Sequence, residues 1–101
     1  MDIGQVWGSL KEENMENIGV YILKCVNDRY YVGSTNDVLR RVPEHQNGEV
    51  TATAHILPVT LVFFQEYDTV KQARQIEYKI KQKKSRVILE KIIADGVIKI
   101  T

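Results

Sequence analysis

From Ile18 to Val26 the chain reads IGVYILKCV, a nearly unbroken run of apolar residues that suit a pleated surface. Asn27-Asp28 is a turn signal, and Arg29–Gly33, RYYVG, reads as a second strand, so the two stretches predict a β-hairpin. Ser34, Thr35, Asn36 and Asp37 offer N-caps for a short helix from Val38 to about Gln46, which Asn47-Gly48 ends. Pro43 inside it removes the hydrogen bond to the Leu39 carbonyl and crowds that group, which predicts a kink. Residues 47–57 read as a loop. Val59–Tyr67, VTLVFFQEY, is apolar on both faces at its start, the mark of a strand covered on both sides. Asp68 or Thr69 caps a long helix over Val70–Lys84. Ser85 caps a further helix over Arg86–Asp95, with Gly96 as its stop. The tail VIKIT reads as a short fourth strand or a frayed end. Residues 1–17 are weakly patterned and read as an arm, or as a short helix docking Trp7. The order β-β-α-β-α-α predicts an α+β domain over residues 18–101: a small three-stranded antiparallel sheet flanked by helices.

A chain of 101 residues fits one domain, and 44% hydrophobic with 27% charged residues excludes collagen-like, disordered and disulfide-scaffold classes. Cys25 is the single cysteine, His45 and His55 are isolated, and no Cys/His set has zinc spacing. A reducing, cytoplasmic setting is therefore expected. The N-terminus has no basic region followed by an apolar run, and no stretch approaches the ~20 apolar residues of a membrane helix.

The net charge of +1 argues at first against a nucleic-acid binder, but it hides a split. Residues 1–17 carry −3 and residues 18–70 carry −2. Residues 71–86 hold Lys71, Arg74, Lys79, Lys81, Lys83, Lys84 and Arg86 against Glu77 alone, which is +6. A helix of that density suits a polyanion such as a nucleic-acid backbone. It also suits a plainly solvated helix face.

Glu77 is more informative. Val70, Ala73, Ile76 and Ile80 form the apolar stripe of the long helix, and Glu77 lies within it. A carboxylate aimed partly into a core must be paired, hydrogen-bonded or metal-bound. One reading pairs it with Arg40 or Arg41 or leaves it at the rim of the stripe; the other makes it a ligand for a divalent cation. On the first helix Val38 and Val42 define the buried edge, and Arg41 and His45 lie on the adjoining surface one turn apart. The hairpin adds Tyr21 and Tyr31, which read either as half-buried sheet aromatics or as members of a shared cleft.

Gly19-Val20-Tyr21 followed by Tyr31-Val32-Gly33 resembles the paired signature of the GIY-YIG nuclease superfamily. STNDVLRRVPEHQNG is similar to the family segment that carries an arginine and then a histidine. Pro58-Val59, LVFFQEYDT, and then Ala73, Glu77, Ile80 and Lys81 resemble the rest of the small stand-alone bacterial branch. The likeness runs from about Ile18 to Ile93. It implies metal-dependent hydrolysis of a DNA phosphodiester in a family that includes the excinuclease C subunit, homing endonucleases and structure-specific repair nucleases. It implies Tyr21 and Tyr31 as the signature tyrosines, Arg41 as the catalytic arginine, His45 as the histidine of many branches and Glu77 as the metal ligand. Ser34 stands where some members have a lysine, and Pro43 departs from the pattern between Arg41 and His45.

The chemistry these residues suit is consistent. Glu77 with phosphate oxygens and waters makes a shell for Mg²⁺, or Mn²⁺ in its place. Arg41 can donate two parallel hydrogen bonds to a phosphate. Tyr31 is assigned as the base or water-orienting group, with Tyr21 as its hydrogen-bond partner and His45 as an alternative base or proton shuttle. Arg40, Lys79, Lys81, Lys83, Lys84 and Arg86 would hold the DNA backbone, contacts that position without reading sequence. A structure-specific or weakly sequence-specific endonuclease of DNA repair or recombination is expected, with a partner protein supplying targeting. A domain that binds nucleic acid on this fold but cleaves it poorly is the alternative.

Overall fold

A computed structural model describes residues 17–99. The elements are β1 (Gly19–Cys25), β2 (Tyr30–Thr35), α1 (Val38–Gln46), β3 (Val59–Glu66), α2 (Val70–Lys83) and α3 (Arg86–Asp95). The chain is α+β, with the three strands in one antiparallel sheet of order β2-β1-β3, so β2 is an edge strand. Successive strand residues face opposite sides, and each side has its own apolar cluster. Val20, Ile22, Val32 and Phe63 pack with Ala73, Ile80 and Ile92 of α2 and α3. Tyr21, Leu23, Val59 and Leu61 pack with Val38 and Val42 of α1 on the other side. The sheet is therefore the middle of three layers, which is why the start of β3 reads as apolar throughout.

A register shift between Ile22 and Leu23 adds to that effect. Ile22 pairs with Phe63 and Leu23 with Leu61, so Val62 is the extra residue of a bulge. Val62 and Phe63 then both serve the α2–α3 side. Gly19 permits the close pairing of β1 with β3, because a Cβ there would lie 2.1 Å from the Gln65 carbonyl oxygen.

The helix boundaries follow from side-chain caps. Asp37 accepts from the Leu39 amide at 3.1 Å, Thr69 from Gln72 at 3.1 Å and Ser85 from Ile88 at 3.3 Å. Lys84 and Gly96 close α2 and α3 in the left-handed region. Helix α1 runs unbroken through Pro43 from Val38 to Gln46. Its first amide, that of Val38, is satisfied by the carbonyl of buried Asn17 at 3.0 Å.

One expectation changes here. The described part of the tail forms no strand: Ile98 is buried, and its amide donates to the Gln65 side chain at 2.8 Å. The arm or docked helix predicted for residues 1–17 lies outside the described residues apart from Asn17. No helix among the described residues is long and apolar enough to cross a membrane.

Candidate active site

The site straddles the outer edge of β2. Tyr21 sits opposite Gly33 in the β1–β2 register, and its side chain crosses that glycine. A Cβ on Gly33 would lie 2.5 Å from both Cζ and the hydroxyl oxygen of Tyr21. The missing side chain is what lets the Tyr21 hydroxyl reach the edge. The next residue, Ser34, faces the α2 side, and its hydroxyl donates to Glu77 Oε1 at 2.5 Å. Glycine and serine side by side thus bring groups from opposite faces of the sheet to one place.

Three rings gather on the α1 side. Tyr21 and Tyr31 have centroids 6.3 Å apart, and His45 stands 5.6 Å from Tyr21 and 4.9 Å from Tyr31. The Tyr21 hydroxyl lies 2.9 Å from His45 Nε2. His45 Nδ1 lies 2.8 Å from the Thr53 hydroxyl. The sequence reading gave Tyr21 to Tyr31 as a hydrogen-bond partner; the structure gives it to His45 instead. It also moves His45 from the surface into the core, where it and Thr53 are fully buried. Burial pushes the His45 imidazole down to about 4, and the charge of Arg41 adds to the fall. His45 is therefore neutral at ordinary pH.

Burial pushes the Tyr21 phenol up to about 12. The Arg41 guanidinium beside it pulls the other way, while Tyr31 and Glu77 add to the rise. Arg41 is held by Glu44 at 3.0 Å, and the same carboxylate takes Arg40 at 3.3 Å. Arg40 also donates to Asn36 at 2.6 Å.

Glu77 is not paired with Arg40 or Arg41. Its partners are Ser34 and Lys81, whose Nζ lies 2.6 Å from Oε2 one helical turn on. That ammonium also sits 5.6 Å from the centre of the Tyr31 ring, bridging around the strand edge. Among the described residues no group of three or more His, Cys, Asp and Glu converges as a metal cage. A single carboxylate with a serine hydroxyl beside it fits a hard divalent ion that keeps several waters and takes its other ligands from phosphate. It does not fit zinc.

Two recesses flank this centre along β2. One, of about 350 Å³, is lined by Ser34, Asn36, Arg40, Arg41 and Arg74, with no acidic residue. The other, of about 430 Å³, includes Tyr30, Tyr31, Lys81, Lys84 and Arg86. The basic residues expected to hold DNA do not share one face. Lys81, Lys84 and Arg86 line the larger recess, Arg40 lines the smaller, Lys83 lines a cavity beside Lys91 and Lys99, and Lys79 is exposed. Sequence reasoning missed Thr53, Glu44 and the place of Arg74 in the arginine recess. Arg74 alone carried a signal, being one turn from Glu77.

A small domain with paired tyrosines on a hairpin, an arginine on the following helix and a glutamate on the long helix is the arrangement of a nuclease catalytic domain. The family model described as the GIY-YIG catalytic domain matches residues 17–91, and the chain belongs to that family. It is 42% identical over 64 residues to the UPF0213 protein VNG_2274C of Halobacterium salinarum, covering 62% of this chain and 83% of that one. It is 34% identical over 74 residues to the UPF0213 protein YazA of Bacillus subtilis, covering 69% and 75%. A UPF0213 protein of Staphylococcus aureus strain N315 is 38% identical over 82 residues, 76% of this chain and all of that one. No solved structure matches the chain significantly.

Proposed function

We propose that the domain is a divalent-metal-dependent DNA endonuclease, with Tyr21, Tyr31, Arg41, His45 and Glu77 as its catalytic group. The observation that carries this reading is the strand edge at Gly33 and Ser34, where the Tyr21 hydroxyl crosses the glycine and Glu77 meets the neighbouring serine. Glu77 would hold the ion, Mg²⁺ or Mn²⁺, which when bound supplies charge stabilisation to the phosphoryl oxygens. Arg41, kept in place by Glu44, aims its guanidinium at the same phosphate. Arg74 and Arg40 line the recess that receives the neighbouring backbone. Tyr31 is only half buried and orients the attacking water. The neutral His45, 2.9 Å from the Tyr21 hydroxyl, holds that tyrosine in position.

The arginines of the smaller recess supply backbone contacts that do not read bases. This supports structure-specific or weakly sequence-specific cutting, in repair or recombination, with targeting left to a partner protein. The test is incubation with branched, nicked and plain duplex DNA, with Mg²⁺ or with chelator, alongside Glu77→Ala and Arg41→Ala. Metal-dependent cleavage that both substitutions abolish is expected. Salt-sensitive binding without cleavage in any metal would overturn the reading in favour of a binding module on the same fold.

A further inference from the structure

We propose that the larger recess beside β2 is a subsite for one unpaired nucleotide of DNA next to the scissile phosphate, its base stacked on Arg86. The proposal rests on the endonuclease reading and names its substrate class: DNA with an unpaired nucleotide at the cut.

Arg86 is the key. Its Nη1 donates to the Asp28 carbonyl, its Nη2 to Asp28 Oδ2 at 3.2 Å and its Nε to Glu90 Oε2 at 3.2 Å. One face of the guanidinium lies over the Tyr30 ring, 4.6 Å from its centre. With its edges engaged and one face covered, this arginine is poorly placed to grip a phosphate, yet it is half exposed. What it offers is a flat, rigid, cationic face. Unstacked bases bind to such guanidinium planes and to aromatic rings, whatever their sequence.

The surroundings suit the rest of a nucleotide. Arg29, Lys81 and Lys84 line the recess with Arg86, and no acidic residue does. Ile80 and Leu89 give it an apolar wall. A volume of about 430 Å³ accommodates one small ligand. A base stacked inside a duplex cannot enter a recess of this kind without leaving its helix. The recess also abuts the catalytic centre, because Tyr31 and Lys81 belong to both. From Tyr30 to Ser34 along β2 is only about 13 Å at the usual strand rise. A strand lying on that edge would pass from the recess, over Gly33 and the Tyr21 hydroxyl, to the arginines.

The test uses the full chain in chelator with three DNAs: a paired duplex, the same duplex with a one-nucleotide gap, and one with a short single-stranded overhang. The unpaired position carries 2-aminopurine. The gapped and overhang DNAs are expected to bind about tenfold tighter than the paired one, with quenched fluorescence. Arg86→Ala should remove most of that difference and the quenching. Lys84→Glu, which reverses one charge of the lining and leaves Arg86 in place, should weaken the unpaired DNAs most, and thermal melting checks that both variants fold. Equal affinity for paired and unpaired DNA, or a preference that survives in both folded variants, would overturn the subsite. Cleavage of the same DNAs in Mg²⁺ separates the two ideas. Cutting indifferent to pairing removes the subsite alone, whereas no cutting of any DNA removes the endonuclease reading.

Discussion

The His45 imidazole joins two hydroxyls in the core, with Tyr21 at 2.9 Å from Nε2 and Thr53 at 2.8 Å from Nδ1. A neutral ring donates from one nitrogen and accepts at the other. The two hydroxyls, each able to donate or to accept, satisfy either tautomer of the ring.

That arrangement predicts acid sensitivity. The folded His45 titrates near 4, below its ordinary 6.5. Between those values the unfolded chain takes up a proton that the fold refuses. The contribution of His45 is complete above about 6.5 and is lost as pH falls toward 4, a loss of up to roughly 3 kcal/mol. Urea unfolding from pH 7 to pH 4 should show a steeper decline in the natural chain than in His45→Gln.

Thr53→Val should leave the His45 Nδ1 buried without a partner, at a cost of about 1–3 kcal/mol. Thr53→Ser keeps the hydroxyl and should restore most of it. Chemical unfolding of the pair measures the difference, and the same variants report whether the loop that carries Thr53 tunes cleavage.

Gly33→Ala tests the crossing of β2. The added methyl group would meet the buried Tyr21 ring at 2.5 Å, so the ring must move. A loss of about 1–3 kcal/mol in stability is expected. Cleavage should fall further than stability alone explains, read as kcat at saturating DNA under fully folded conditions.

Arg41→Lys keeps the charge but loses the planar fork, and should lower kcat by about 10²-fold, as removing one preorganised donor does. Glu44→Gln should have a smaller effect in the same direction, because Arg41 loses its anchor.

Much of the fold was legible because it is locally encoded. Asp37, Thr69 and Ser85 announce three helices, and Gly96 marks the end of the last. The alternating contacts of β1 were less legible, because both faces of the sheet are covered. Site partners were harder still. Glu77 was conspicuous in an apolar stripe, but Ser34 meets it across 43 residues of sequence, and nothing local tells that hydroxyl from the two arginines nearby. His45 looked like a surface group because a short helix bearing Arg41 one turn away reads as a polar flank. Its burial is made possible by Thr53, a residue in a loop with no periodicity to interpret.

Asn17 couples the sheet's entry segment to the helix of the site. Its carbonyl holds the first amide of α1, so the chain enters the fold beside the helix that bears Arg41 and His45. Displacing the backbone at Asn17 would strip that amide of its partner and loosen the first turn of α1, the base from which both side chains project.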